Sequence, residues 1–381
     1  MGVSLEWFTA VAAELGVSRP ALYNHVVDRD DLQFKCYIKS CDALDQALIT
    51  ALNTSDTPTE VLDGFLGEIN RSDEPEFAIM REMDALPEQK RIRIRARQDA
   101  LVSRLADIIQ QGVAAGLFRS VDTSIVAEAF MGMAGWLSIY RRWTSGMGTP
   151  HPTRGMKELL FLGLVVDRHT PFFKPPRLAP PSTAKIDVFD RSALDDAKRE
   201  GILVAASALF NRRGIGATRV EDVGAAIGLS KRAMFHHIHS KNALIDACIE
   251  RATAFNLNLM AAAEASAVSR IEAFFAAIRD YVESICDPDR TILVPDVGAG
   301  LVGRARWLAM ADFHRQLTDG YRKILTDGQH EGSIRLLPLE DVLPSLPSVI
   351  NWVSGRSLPS EEDRRNVADE LATLVTRGIL R

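Results

Sequence analysis

The sequence predicts an all-α chain, a tandem duplication in which each unit is a helix-turn-helix head followed by a helical-bundle body. Three observations predict it. A stretch near the start recurs past the middle, apolar residues return at helical spacing in both halves, and a proline-rich segment divides them. Val11 to Leu32 (VAAELGVSRPALYNHVVDRDDL) aligns without gaps to Val223 to Leu244 (VGAAIGLSKRAMFHHIHSKNAL) at an offset of 212. Seven of these 22 pairs are identical and seven more are conservative. Further on the offset becomes 216, pairing Gly112 with Gly328, Phe118 with Ile334, Arg119 with Arg335 and Trp136 with Trp352. The predicted divisions are a first head at 1–45, a first body at 46–169, a linker at 170–190, a second head at 191–250 and a second body at 251–381.

Taken in chain order, the first head is expected to lack an element unless the true start lies upstream or another segment substitutes. Met1 to Val3 align just after the position of the second copy's first helix, so the apolar backs of Val11, Leu15 and Leu22 are expected to lack their usual cover. In the first body, Leu101, Leu105, Ile108 and Ile109 recur with a period near 3.6, which makes the preceding KRIRIRAR run, Lys90 to Arg97, the solvated face of a helix. Thr170 to Pro181 (TPFFKPPRLAPP) has five prolines, which cannot continue a helix and favour extended geometry. A linker of about 20 residues at up to ~3.3 Å each reaches roughly 65 Å.

The second head reads in full. Leu203, Ala206, Leu209 and Phe210 mark a first helix, and Asn211 to Ala217, with two glycines, break it. Thr218-Arg219-Val220-Glu221 has capping-box spacing, in which the Thr hydroxyl and the Glu carboxylate each meet an orphan backbone N–H. The second helix ends near Gly228, which suits a left-handed turn. Leu229 plugs the core beneath it and Ser230 caps the third helix. Met234 and Ile238, four apart, face inward, so the outer face of the third helix is basic and ring-rich.

Composition bounds the function. The 381 residues are 46% hydrophobic and 25% charged with a net charge of −5, which fits a folded globular chain and confines any nucleic-acid contact to a local surface. The longest apolar stretch, Leu159 to Val166, is too short to span a bilayer, and the expected location is the cytoplasm. Cys36, Cys41, Cys248 and Cys286 form no C-x-x-C pair and are expected to be reduced core thiols. His236, His237 and His239 on one short helix point in different directions, so no metal and no cofactor is expected. No phosphate loop, nucleophile elbow or zinc-protease motif is present, and no enzyme is expected.

The segments GVSRPALYNHVVDRDDL and GLSKRAMFHHIHSKNAL resemble the recognition-helix signature of TetR/AcrR-type bacterial transcriptional regulators, here as two tandem units. The resemblance implies a double-stranded DNA operator, an unknown small-molecule effector in the helical body, and dimerisation through a four-helix bundle that two fused units can build within one chain; a homodimer of chains is the other arrangement. It implies a repressor, bacterial and nucleoid-associated when bound. The alternative is a ligand-sensing or protein-interaction protein that has lost operator binding. Mapped onto the motif, the second head's DNA contacts are Thr218, Arg219, Ser230, Lys231, Arg232, Ala233, Phe235, His236, His237 and Lys241. Those of the first are Ser18, Arg19, Pro20, Ala21, Tyr23, Asn24, His25 and Arg29. Candidates for the apolar ligand pocket are Phe65, Phe130, Trp136, Phe274, Tyr281, Trp307 and Trp352. Residues 1–32 carry two arginines against five carboxylates, a net −3; residues 211–241 carry six basic groups against two acidic ones, a net +4. The second head is therefore expected to dominate binding, and the unlike helices predict an asymmetric operator.

Overall fold

A computed structural model describes residues 11–71, 77–78, 83–144, 152–168, 175–178, 191–295, 297, 304–356 and 358–381, with the side chains at 19, 85, 137–144, 152, 191, 304–307 and 309 excepted. It is all-α. After helical residues 11–14 come α1 (Arg19–Tyr23), α2 (Arg29–Thr54), α3 (Pro58–Glu68), α4 (Glu88–Ala114), α5 (Thr123–Thr144) and α6 (Pro152–Lys157), which runs into a π-turn at Glu158–Leu162. The second half has α7 (Arg191–Ala217), α8 (Val220–Ala226), α9 (Lys231–His237), α10 (Lys241–Ser266), α11 (Arg270–Cys286), α12 (Arg304–Glu331), α13 (Leu339–Ile350) and α14 (Glu361–Arg377).

The duplication is visible element by element. Helices α1, α2 and α3 begin 212 residues before α9, α10 and α11, and α4 and α5 begin 216 before α12 and α13. In each half a 26-residue helix (α2, α10) leads without a break from the head into the body. The predicted head–body divisions thus fall inside continuous helices, so a head can transmit its position along a rigid rod.

In the second head, the first helix breaks at Gly214 (φ +79°, ψ 156°), inside the expected Asn211–Ala217 break, and a short turn carries α7 on to Ala217. Asn211 belongs to this helix. Its buried amide donates to the Ile292 carbonyl (2.8 Å) and accepts from Val294 N–H (3.1 Å), tying the head to a body loop. Only the carboxylate half of the capping box forms, one residue later than the sequence spacing suggested: Asp222 accepts from the Arg219 backbone N–H (2.9 Å), while the Thr218 hydroxyl donates backward to the Gly214 carbonyl (2.9 Å). Ile202, Leu203, Leu209, Phe210, Val223, Met234 and Ile238 are buried and continuous with the main core. The first head has a separate small cluster of Ala12, Leu22 and Val26, edged by Val11 and Leu32, and Leu15 remains 61% exposed. Residues 1–10, which align with 213–222, lie outside the described residues.

The bodies meet through their last helices. α13 packs against α5 and α6, and α14 packs against α5 and the π-turn, so helices from both halves form one bundle. The contact has a pseudo-two-fold arrangement. Phe118 bridges Leu380 while Val165 bridges Ile334. Arg119 Nε donates to the Gly378 carbonyl and Arg335 Nε to the Gly163 carbonyl, each at 2.6 Å. Arg119 N–H donates to Ile379 and Arg335 N–H to Leu164, each at 2.9 Å. At the crossing of α5 and α13, Gly132 lies against Ser348, its own equivalent at offset 216, so closely that a Cβ would overlap the Ser348 carbonyl oxygen.

The linker's described portion, Pro175 to Leu178, is docked and not a free tether. Prolines leave carbonyls without helical partners, and the buried Arg279 donates to those of Pro175 (2.5 Å) and Pro176 (2.8 Å), while Asp280 accepts from Leu178 N–H (2.9 Å). The rest of the linker lies outside the described residues. Of the cysteines, Cys41 and Cys248 are buried and Cys286 is partly so, but Cys36 is exposed on α2, a departure from the expected core thiols. Among the described residues no helix is long and apolar enough to cross a membrane.

Candidate nucleic-acid interface and effector cavity

The two heads build the same short helix by the same local chemistry. Gly228 (φ +71°) and Gly16 (φ +65°) turn the chain through the left-handed region. Ser230 Oγ then accepts from Ala233 N–H and Ser18 Oγ from Ala21 N–H, both at 3.3 Å, which caps α9 and α1 and leaves their N-terminal residues facing outward. On α9, Lys231, Arg232, Phe235 and His236 are exposed and Ala233 and His237 half-buried, while Met234 is fully buried beneath them. Ser230 and Arg219 are exposed at its edge. Lys231 is held in place: its ammonium pairs with Glu221 (2.8 Å) and lies 5.8 Å from the Phe235 ring centroid. That pairing holds the Glu221 carboxyl below its ordinary range. Lys241 reaches the Gly216 carbonyl (3.4 Å) and so braces the turn as well as flanking α9.

On the first head Ser18, Pro20, Tyr23, Asn24 and His25 are exposed, and Ala21 and Arg29 half-buried; the Arg19 side chain lies outside the described residues. Thr218 departs from the expected set. It is only 1% exposed, with its hydroxyl directed to Gly214, and so closes α7 from within and faces no ligand surface.

The pocket candidates divide differently. A cavity of about 30 Å³ lies in the second body between α10, α11, α12 and α13, lined by Asn256, Tyr281, Pro295, His314, Leu317, Thr318, Tyr321, Leu343, Leu346, Pro347, Ile350 and Asn351. Of the seven aromatic candidates, Tyr281 alone lines it. Phe65, Phe130 and Phe274 are completely buried in the core, Trp136 donates to the Pro344 carbonyl (2.6 Å) in the bundle, and Trp352 packs beside Gly132. The Trp307 side chain lies outside the described residues. Trp136 and Trp352 fill space where helices from the two halves meet, while Phe130 and Phe274 pack on Phe161 and Tyr321 of their own halves.

The polar groups at the cavity were missed from sequence. Tyr281 hydroxyl donates to Asn351 Oδ1 (2.9 Å), and buried Asn256 donates to the Ala252 carbonyl (2.8 Å) while its Oδ1 has no hydrogen-bond partner among the described residues. Burial pushes His314 down to about 4 and the Tyr321 phenol well above its usual range, so both are neutral at pH 7. The signal available in sequence was a polar residue inside an apolar helical stripe, as at Asn256 in α10. Which stripe faces a void depends on the tertiary packing.

Comparison with known proteins follows the same division. Residues 202–248 match the family model for bacterial regulatory proteins of the tetR family, and residues 57–154 match that of a tetracyclin repressor-like C-terminal domain. The HTH-type transcriptional repressor KstR2 of Mycobacterium tuberculosis, from two strains, is 23% identical over 164 residues, 42% of this chain and 81% of the relative. A TetR family transcriptional regulator, PfmR from Thermus thermophilus, shares 23% identity over 47% of this chain and 96% of its own, with a TM-score of 0.38. The head model matches the second half and the body model the first, and both halves repeat one element order, so the chain is similar to the TetR-type transcriptional regulators in both halves.

Proposed function

We propose that the chain is a repressor that reads an asymmetric DNA operator with two unlike heads carried on one molecule, and that a small uncharged molecule in the second body's cavity relieves it. One observation carries the reading. Two serine-capped helices, each after a left-handed glycine turn, present matching ring and histidine positions, and their bodies join in a bundle where equivalent residues meet across a pseudo-two-fold axis. In this reading the base-edge residues are Lys231 and Arg232, with Phe235, His237 and Lys241 at phosphates; Arg19, Pro20, Tyr23, His25 and Arg29 take the matching places in the first head. The net +4 of the second head against −3 for the first makes the second the main source of affinity. The protein acts in the bacterial cytoplasm.

Relief follows from the position of the cavity. Its wall includes α13, which packs on α5 and α6 of the other half, and Asn256 on α10, about 22 Å along the same helix from Lys241 at the head. A molecule that separates α10 from α13 shifts both the head's support and the bundle, and this changes the spacing of the heads. Neutral His314 and Tyr321, with the Tyr281 hydroxyl, around an unpartnered amide oxygen suit an uncharged molecule with a hydrogen-bond donor. Selection of the purified chain against a random duplex library tests the proposal. Two unlike half-sites support it; identical inverted halves favour a dimer of chains using the second heads. No enrichment at low salt leaves a sensing protein without an operator.

A further inference from the structure

The Lys90 to Arg97 run, expected to be a solvated face, is placed by the structure where it can act on the first head. We propose that Lys90, Arg91 and Arg93, at the start of α4, form an auxiliary phosphate-contacting surface that supplies the first head with the positive charge its own helices lack. The inference rests on the DNA-binding reading above and adds a contact from a regulatory body.

The geometry supports it from two sides. Lys90 Nζ lies 5.7 Å and Arg93 Cζ 5.2 Å from the centroid of the Phe34 ring on α2. The next residue, Lys35, donates to the His25 carbonyl (2.7 Å) and to Asp31 (2.9 Å), so basic groups continue from the end of α1 across the start of α2 to α4. Lys90 is close enough for its charge to help hold the Asp31 carboxyl below its usual range, after the Val27 N–H and Lys35. Ile94 is fully buried and fixes the rotation of α4, which leaves Arg93 exposed and Lys90 and Arg91 half-buried.

Charge within the run separates two roles. Arg95 pairs with Asp84 (3.5 Å) and Arg97 with Asp42 (2.5 Å), and these brace the body. No carboxylate among the described residues pairs with Lys90, Arg91 or Arg93. The second half shows the converse distribution. Its head is basic by itself, and the positions equivalent to 90, 91 and 93 are Arg306, Trp307 and Ala309, only one of them charged. A stripe whose purpose was solubility has no reason to accompany the acidic head and be absent beside the basic one. Phosphate neutralisation gives one.

The test measures operator binding of the full chain against salt concentration. Wild type is compared with Lys90→Gln/Arg91→Gln/Arg93→Gln, with the exposed single change Arg93→Gln, and with Arg93→Lys, using melting temperature to confirm folding. Each lost phosphate contact lowers the slope of log affinity against log salt by about 0.9. The expected result is a slope lower by about 1 to 2 in the triple variant and by up to about 1 in Arg93→Gln, with Arg93→Lys close to wild type. Arg97→Gln, which breaks only the Asp42 pair, leaves the slope unchanged. Wild-type slope in folded Arg93→Gln and triple variants overturns the inference and leaves the DNA reading intact. A wild-type chain with no salt-dependent complex overturns both.

Discussion

Phe235 and Tyr23 occupy matching positions on α9 and α1 with similar exposure, 38% and 44%, yet stand in opposite fields. Phe235 is backed by Lys231 and belongs to a head with net charge +4, whereas Tyr23 belongs to one with −3. Phe235→Ala is therefore expected to weaken operator binding about tenfold and Tyr23→Ala less than about threefold, as read by fluorescence anisotropy at fixed salt. Equal losses would show that the charge difference does not decide which head binds. Thr218→Val tests the corrected role of that residue: losing its bond to Gly214 is expected to cost about 1 kcal/mol of stability in denaturant, with no change in salt slope. His314 gives a pH signature. Burial holds it at about 4 in the folded chain against 6.5 when free, so between these values the unfolded chain binds a proton that the folded chain excludes. Stability is thus independent of His314 above pH 6.5 and falls towards pH 4 by up to about 1.4 kcal/mol per unit. Melting temperatures of His314→Gln across this window should fall less steeply than wild type, and parallel profiles would contradict the account. At this scale the sequence showed what chemistry within a few residues decides: the Gly228 turn, the Ser230 cap and the buried Met234. Thr218 was misread because Asp222, one residue beyond Glu221, accepts the Arg219 N–H at the helix start and frees Glu221 for Lys231.

Among the elements, the pairing of halves rests on a few repeated contacts. Arg119 and Arg335 each cross to the other half's glycine carbonyl at 2.6 Å, and each also meets a carboxylate there, Glu370 and Glu158 respectively. Because they play equivalent roles, Arg119→Ala and Arg335→Ala are expected to destabilise by similar amounts, about 1.5 to 3 kcal/mol each by urea unfolding. A pair that differs by more than this range would mean that the two arms of the interface are not equivalent. Gly132→Val inserts a side chain where α5 crosses α13 at the Ser348 carbonyl, and overpacking of that kind costs about 1 to 3 kcal/mol. The helical pattern of both bodies was legible because apolar spacing reports one face of a helix. The Arg279 and Asp280 strap was not, because nothing in α11's own pattern shows that two charged residues will be buried under proline carbonyls from about 100 positions earlier. The cavity was illegible for the same reason: Trp136 looks like a pocket residue until the other half's Pro344 carbonyl accepts its indole N–H, and Phe274 until Tyr321 packs on its ring.

Within the whole molecule the two halves pack on each other through their last helices. In a symmetric dimer each protomer presents the same patch, and the contact forms only as concentration allows. Here the bundle joins α5 and α6 to α13 and α14 of one chain, held by the docked segment Pro175 to Leu178. An intramolecular partner has a fixed effective concentration, so assembly is expected to be independent of the amount of protein. The same fusion frees the heads to diverge, since a substitution in one is no longer copied into the other; α1 now reads Arg-Pro-Ala where α9 reads Lys-Arg-Ala. One chain is therefore expected on one operator. Mass photometry of the complex should give a single chain per duplex across a hundredfold range of protein concentration, and the binding curve should have a Hill coefficient near 1. Two chains per duplex, or a coefficient approaching 2 with concentration-dependent melting, would show that the bundle between halves is not the pairing used on DNA and that the second heads of separate chains meet instead. Selection then gives an independent check on the same point, because one chain with unlike heads requires unlike half-sites, while paired copies of the second head require matching ones.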